Sequence, residues 1–270
     1  MKDEKKLTVL ITGAAAGIGN AVAKVFSRNG HTVYALDLRL SDTGTAFEAD
    51  ITDEERLLAI AEELRKKGVR LDAILNFAGV HTMGSFIEED YAKLKRLFEI
   101  NLLGAMLVNK TFHSLLQPNG KILVTTSEVA AGAPLPFNGI YNVSKSALDC
   151  YAHALRQELN LLGQRVITLR PGAVETELAK GSAVATKRLC EKTELYKEQS
   201  ENFCALVAKF TGKPMPAEKL ALFVYKIVLK KRPKYEYVKN RHLGLALLAF
   251  LPKSWQCALV KKLVNLRKKR

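Results

Sequence analysis

Cysteine is scarce and unpaired in this sequence. The four present, Cys150, Cys190, Cys204 and Cys257, follow no repeated spacing. That excludes a disulfide framework or a cysteine-based metal motif and points to a reducing compartment. A membrane-spanning run is lacking too: the apolar stretch Leu243 to Leu251 falls far short of the ~20 residues a bilayer requires. Linkers, internal repeats and low-complexity segments are missing, so the chain reads as one unit with a tail. Acid is nearly absent from that tail. Lys226 to Arg270 holds 14 Lys/Arg and one Glu, a net of +13 out of +15 for the whole chain, which leaves the remainder near neutral at +2. A basic tail on a near-neutral body argues against nucleic-acid binding by the main unit.

What is present is ordinary globular composition, with 48% hydrophobic and 26% charged residues in 270, enough for one large α/β domain. The opening MKDEKK-LTVLITGAAAGIG imitates the charged and apolar parts of a signal peptide. Its apolar part, however, begins as a β-rich run, turns glycine-rich and leads into an amphipathic helix, so it is better used as a first strand and loop.

Seven segments read as strands: Leu7–Thr12, Thr32–Asp37, Thr45–Ala49, Ala73–Ala78, Gly120–Ser127, Arg165–Arg170 and Tyr235–Val238. Helices are expected over Gly17–Asn29, closed by Gly30, and from a Thr52 cap with Glu55 completing a capping box to Lys67. Further helices are expected over Glu89 to about Leu116, Asn138–Leu162, irregularly over Ala183–Phe210, and over Ala217–Lys230. Continuous apolar strands alternating with helices imply a parallel sheet covered on both faces. One connection is too short. Seven residues, LRLSDTG, separate Asp37 from Thr45, where a parallel crossover takes about a dozen. Either the second crossover helix is nearly absent or the third strand is misplaced.

The first strand runs into TGAAAGIG, Thr12 to Gly19. Glycines at 13, 17 and 19 allow close approach of the backbone to a ligand, and the helix beyond offers free N–H groups to a pyrophosphate. Asp37 closes the second strand 18 residues after Gly19, where a carboxylate binds the hydroxyls of an adenine ribose and repels a 2′-phosphate. No Lys or Arg lies within Ala14–Ala16, and Arg39 is the one nearby cation, so the pattern favours NAD over NADP. Farther on, YNVSK places Tyr141 and Lys145 four residues apart on an expected helix, hence on one face. An ammonium beside a phenol lowers its pKa from the ordinary value of ~10.

Together these motifs resemble the short-chain dehydrogenase/reductase family, in its hydroxysteroid and retinol dehydrogenase-like branch. The resemblance covers about residues 6–240 and rests on an ordered set: TGAAAGIG, NFAG (Asn76–Gly79), Asn101, Ser127, YNVSK, and RPG (Arg170–Gly172) leading to Thr176. It implies a single Rossmann-like, doubly wound parallel α/β sheet of about seven strands with helices on both faces. It also implies hydride transfer between NAD(P) and an alcohol or carbonyl. Tyr141 would be the general acid/base, Lys145 would hold the nicotinamide ribose, Ser127 would orient the reacting oxygen, and Asn101 would support a proton-relay water. Cofactor contacts would come from Gly13, Ala15, Gly17, Ile18, Gly19, Asp37, Asp50, Ile51, Asn76, Ala78, Gly79, Tyr141, Lys145, Pro171, Gly172, Val174 and Thr176. No metal is implied. A homodimer or homotetramer through the Asn101 and Tyr141 helices is implied as well.

Three departures stand out. Phe77 occupies the place of a second asparagine. Ser127 precedes Tyr141 by fourteen residues instead of the family's usual thirteen, with Thr126 as the alternative hydroxyl. The connection after Asp37 is short.

Residues 1–240, with a substrate lid near 178–215, are expected to form the catalytic domain, and 241–270 a basic amphipathic extension. Trp255, Ala258, Leu259, Leu263 and Leu266 share a helix face there, flanked by lysines. Such a face is either an interfacial membrane anchor or a helix pair packed over the substrate cleft. The expected location is cytoplasmic, with peripheral membrane contact if the tail is an anchor. The leading reading is therefore an NAD-dependent oxidoreductase of a hydrophobic secondary alcohol or ketone such as a hydroxysteroid. A 3-oxoacyl reductase and a non-catalytic dinucleotide-sensing membrane protein are the alternatives.

Overall fold

The computed structural model describes residues 5–210 and 213–265, with backbone alone at 178–180, 182–183 and 209–210. Met1 to Glu4, Thr211 and Gly212 of the expected lid, and Leu266 to Arg270 of the tail lie outside the described residues.

Alternation along the strands explains the layering. In β1 (Thr8–Thr12), Val9 and Ile11 face one side of the sheet and Leu10 the other, as the period of two requires. The other strands are β2 (Thr32–Asp37), β3 (Ala46–Glu48), β4 (Leu71–Asn76), β5 (Leu116–Thr125), β6 (Arg165–Pro171), the short β7 (Val174–Glu175) and β8 (Met215–Pro216), and β9 (Glu236–Lys239). Seven of them form one parallel sheet in the order β3-β2-β1-β4-β5-β6-β9, while β7 and β8 pair separately.

The helices are α1 (Gly17–Arg28), α2 (Glu54–Lys66), α3 (Tyr91–Phe98), α4 (Ala105–Phe112), α5 (Gly139–Leu161), α6 (Glu177–Lys192), α7 (Lys197–Phe210), α8 (Ala217–Leu229), α9 (Leu243–Phe250) and α10 (Lys253–Val264). Leu57, Ile60 and Leu64 of α2, Val108 and Phe112 of α4, and Leu148 and Ala152 of α5 pack on Leu10, Leu36, Ile74 and Val124. Val22 and Phe26 of α1 and Leu220, Val224 and Ile227 of α8 pack on Val9, Ile11, Leu75 and Leu169. The strand order reverses between β1 and β4, which opens a crevice at the carboxyl ends of the strands.

Several expectations are corrected locally. Asp53, not Thr52, caps α2 by accepting from the Arg56 N–H; the Thr52 hydroxyl is engaged instead as donor to Asp50 at 2.7 Å. The third strand is real and its crossover has no helix. Asp42 accepts from the Glu48 N–H at 2.8 Å and Thr43 Oγ1 from the Ala46 N–H at 3.0 Å, so side chains close the turn that feeds this three-residue edge strand. The helix expected over Glu89–Leu116 is interrupted by a π-helical turn, Glu99–Gly104. The irregular helix expected from Ala183 is two helices, α6 and α7, and α6 begins earlier, at Glu177.

In the tail, α10 packs on α7. Val260 and Val264 join Leu189 and Phe203 in a small apolar cluster, and Asn202 Nδ2 donates to the Val264 carbonyl at 3.0 Å. By contrast, α9 buries no residue. Among the described residues no helix is long and apolar enough to cross a membrane.

Candidate active site

The crevice begins at the glycine loop. Gly13 has φ +69° and Gly17 φ +55°, the left-handed region that glycine enters without strain. A Cβ on Gly19 would lie 2.2 Å from the Gly13 carbonyl oxygen, so α1 packs against the loop only because that residue is bare. No side chain caps the start of α1, which leaves its amides and the positive end of its dipole facing the crevice. The Asn20 side chain donates to the Ala14 carbonyl at 3.0 Å and steadies the turn.

A cleft of about 330 Å³ extends from this loop past the ends of β2, β3 and β4. Gly13, Gly17, Ile18, Gly19, Asp37, Asp50, Ile51, Ala78, Gly79 and Thr176 line it, together with Ala16, Arg39, Phe77, Val80, Arg96 and Ile100. Asp37 accepts from the Ala15 N–H at 3.1 Å and from the Arg39 N–H at 3.0 Å, which fixes its carboxylate at the rim. Burial pushes the Asp50 carboxyl up, but hydrogen bonds from Thr52 and Arg96 outweigh that and hold it below the usual range.

Other expected contacts stand elsewhere. Ala15 is not on the cleft wall; its N–H serves Asp37. Asn76 is buried under the floor, donating to Asn109 Oδ1 at 2.9 Å and the Leu123 carbonyl at 3.2 Å. Pro171 and Val174 are buried at the end of β6 and in β7. A Cβ on Gly172 would sit 2.0 Å from the Asn240 carbonyl oxygen, so that glycine serves the junction with the tail. None of these lines the described cleft.

Deeper along the crevice, Ser127, Tyr141, Lys145 and Asn101 converge. Ser127 follows β5, and its hydroxyl is the neighbour that favours ionisation of the Tyr141 phenol. Thr126 turns away, donating to Asp149 at 3.1 Å, so Ser127 is the hydroxyl that meets the tyrosine. In the loop between them Phe137 adopts φ +60°, a conformation rare for a bulky side chain. Phe137 is held there by edge contacts with Tyr196 and Phe203.

One helical turn after the tyrosine, Lys145 Nζ lies 5.9 Å from the Tyr141 ring centroid and donates to the Thr125 carbonyl at 3.2 Å. Asn101, in the π-helical turn, clamps Val80 from both sides: its Oδ1 accepts from the Val80 N–H at 2.8 Å and its Nδ2 donates to the Val80 carbonyl at 2.9 Å. Gly79 lies between these groups; a Cβ there would be 3.1 Å from Asn101 Oδ1 and 3.4 Å from Lys145 Nζ.

The expected lowering of the Tyr141 pKa is not what this environment produces. Burial pushes the phenol up to about 12, opposed by the Ser127 hydroxyl. Lys145 is itself brought down to about 8 by burial, since desolvation penalises either charged form. Sequence reasoning also missed His81. Its ring meets Tyr141 edge-on at 4.6 Å and its Nε2 is 3.1 Å from Asn138 Oδ1. Burial lowers the His81 pKa, and the Asn138 contact raises it in part. A lone histidine after NFAGV carries no pattern of its own, so nothing in the sequence marked it.

Residues 7–186 match the short chain dehydrogenase family profile. Short-chain dehydrogenase srdE of Neurospora crassa is 34% identical over 181 residues, covering 63% of this chain and 62% of its own length. The NADPH-dependent 1-acyldihydroxyacetone phosphate reductase of Schizosaccharomyces pombe is 30% identical over 204 residues, 72% of this chain and 69% of that protein. Among solved structures, a short-chain dehydrogenase from Streptomyces avermitilis superposes with a TM-score of 0.75 at 21% identity over 97% of both chains. A short chain dehydrogenase from Burkholderia cenocepacia in complex with NADP gives 0.70 at 20% identity, over 97% of this chain and 99% of that one. At those identities the structures show a common fold, while the family match, spanning the glycine loop, Asn101, Ser127, Tyr141 and Lys145, establishes descent: the chain belongs to the short-chain dehydrogenase/reductase family of oxidoreductases.

Proposed function

We propose that this protein transfers hydride between NAD, in preference to NADP, and an apolar secondary alcohol or ketone, with Tyr141 as the proton donor and acceptor. The observation that carries the reading is the convergence of Ser127, Tyr141 and Lys145, with Lys145 Nζ 5.9 Å from the Tyr141 ring centroid, beside a cleft that begins on an uncapped helix and a bare glycine loop. The chain fits a dinucleotide. Amides of α1 suit its pyrophosphate, Asp37 suits a ribose diol, and Asp50 with Ile51 suits the adenine side. When bound, the nicotinamide supplies or accepts the hydride.

The protein's own residues handle the proton. In the reducing direction Ser127 and Tyr141 both donate to the substrate oxygen, and Tyr141 O–H gives up its proton as that oxygen becomes a hydroxyl. A phenol held up near 12 is fully protonated at neutral pH and ready as an acid. In the oxidising direction burial opposes loss of that proton, and the Lys145 ammonium supplies the compensating charge. Asn101 keeps the Val80 backbone fixed beside this centre and is proposed to steady the water through which the proton is renewed.

Residues 1–240 act in this reading as the catalytic unit, with a lid of α6 and α7. The tail is an accessory that brings the unit to an anionic membrane surface: Leu243, Leu247 and Phe250, at helical spacing on α9, are all exposed, amid dense positive charge. Absorbance of the reduced nicotinamide, followed with NAD(H) and NADP(H) against a panel of ketones and alcohols, tests the function. The panel includes a hydroxysteroid, a 3-oxoacyl thioester and a 1-acyldihydroxyacetone phosphate, the last because of the named activity of the yeast relative. Turnover with NAD that Asp37→Ala shifts toward NADP is expected. Preference of the unaltered protein for NADP would overturn the role given to Asp37, and silence across the panel would overturn the assignment of an apolar secondary alcohol or ketone as substrate.

A further inference from the structure

Two thiols that the sequence leaves fourteen positions apart meet in the lid. Cys190 on α6 and Cys204 on α7 have their Sγ atoms 3.0 Å apart. Cys204 also donates to the Thr186 carbonyl at 3.6 Å, which points its thiol at the neighbouring helix. Sulfurs in a disulfide are about 2.05 Å apart, so an approach of about 1 Å separates the pair from a bond. Both residues are half-buried, and Cys204 packs against the cluster that includes Leu189, Phe203 and Phe137. Phe137 belongs to the loop that leads into α5 and Tyr141, so the pair sits where the lid rests on the catalytic half. The other two cysteines, Cys150 and Cys257, are exposed and lie on α5 and α10.

We propose that Cys190 and Cys204 form an oxidisable dithiol that hydrogen peroxide closes to a disulfide and a small dithiol reopens, fastening α6 to α7. The Cys190 thiolate attacks one peroxide oxygen: an S–O bond forms, the O–O bond breaks, and the departing hydroxide takes up a proton to become water. Cys204 then attacks the Cys190 sulfur: the S–S bond forms, the S–O bond breaks, and the leaving hydroxide takes the Cys204 proton as a second water. Two thiols thereby lose two electrons and two protons to one peroxide. Burial, followed by the contact with Cys190, pushes the Cys204 thiol up to about 12, which suits it to keep its proton until the second step and leaves the first attack to Cys190.

The test uses the full chain in a Cys150→Ser/Cys257→Ser background, so that the exposed thiols do not compete. Treatment with one equivalent of hydrogen peroxide should remove the mass of two hydrogen atoms. It should also block both remaining thiols from alkylation and yield one cross-linked peptide pair within the same chain. Amide exchange across α6 and α7 should slow several-fold and recover on reduction with dithiothreitol, while exchange in β1 and β4 stays unchanged. Adding Cys190→Ser should abolish both effects. Retention of two alkylatable thiols, gain of oxygen without loss of hydrogen, or a cross-link between chains would overturn the disulfide. A disulfide with unaltered exchange in α6 and α7 would overturn its role as a fastening. None of these readouts depends on which substrate the enzyme takes.

Discussion

The sheet half of the molecule and its lid-and-tail half are built to different standards. Around the sheet, Leu10, Ile11, Leu36, Leu57, Ile74 and Leu75 are entirely buried in clusters that cover both faces. The lid cluster holds five buried residues, Met83, Phe137, Leu189, Phe203 and Val264, each retaining some exposure, and α9 has none. The family match stops at Thr186, inside α6, where this change begins. Cofactor binding and proton transfer demand fixed positions, and those come from strand ends locked into a close-packed sheet. Substrate capture tolerates, and for bulky apolar molecules requires, a cover that opens. On the proposed function, the contrast separates the chemistry of the family from the part that would select the substrate.

The sharpest way to break this comparison is at the catalytic end. Tyr141→Phe keeps the ring against His81 and removes only the hydroxyl. It should lower kcat by roughly 10²–10⁴-fold, the usual worth of general acid–base help, while fluorescence titration finds dinucleotide affinity unchanged. Retained turnover would mean that the Ser127–Tyr141 pair is structural.

Packing gives the next largest effect. Ile74→Ala, fully buried at the centre of the sheet in the cluster under α2, α4 and α5, should cost about 2–5 kcal/mol of unfolding free energy. Phe203→Ala in the lid should cost less globally and instead raise KM for bulky substrates more than for small ones. Equal losses in denaturant titrations would show that the lid is integral to the core.

A pH experiment separates the halves more finely. Lys145 has its pKa lowered from 10.5 to about 8 in the folded chain. Between those values the unfolded chain holds a proton that the folded one has shed, so the unfolding free energy rises with pH across that window. Lys145→Met should flatten the rise between pH 8 and 10, measured as the midpoint of urea unfolding. Tyr141, raised to about 12, acts in the opposite sense only above about 10, its ordinary value, and stays outside that range.

Much of the sheet half was legible in the sequence, for physical reasons. Apolar strand runs have one use in a parallel sheet, and β2 was placed to the residue, Thr32–Asp37. The glycine loop was legible because steric demands there admit nothing else: Gly13 and Gly19 touch backbone. Tyr141, Lys145 and Ser127 were found as an ordered set, and the structure brings them together. What failed was the choice between near-equivalent neighbours. Thr52 and Asp53 are both good caps, and a competing bond to Asp50 decided between them. Ala15, Asn76, Pro171, Gly172 and Val174 were assigned to the cofactor by position in a motif; they do not line the described cleft, and their contact with a cofactor stands as a proposal. The meeting of Cys190 with Cys204 depends on how α6 lies on α7, which periodicity alone does not encode. The sign of the Tyr141 shift likewise depends on enclosure, a property of the whole fold.

The smallest expected effect on stability lies in the tail, and there it carries the most information about function. On α10 the stripe of Gln256, Val260 and Val264 turns inward, and Val260 and Val264 pack against the lid cluster. Trp255, Leu259 and Leu263, at the same helical spacing, face outward. On α9, Leu243, Leu247 and Phe250 are all exposed, Phe250 by 82%. Leu247→Ser with Phe250→Ser should therefore change the unfolding free energy by no more than ~0.5 kcal/mol, as for surface sites. If the face meets a membrane, the same pair of changes should abolish flotation with phosphatidylserine-containing vesicles. Each Lys or Arg near such a surface contributes about 1 kcal/mol, and screening weakens that attraction as salt rises. The unaltered chain should thus float at low salt and be released at high salt. Flotation that is equal for variant and unaltered chain, or absent for both at low salt, would refute the membrane assignment. Concentration-dependent self-association by light scattering, lost in the same variant, would assign the face to a second copy of the chain. A fall in stability well beyond surface values would show instead that α9 is part of the cover over the cleft, and the contrast between the halves would then end at Asn240.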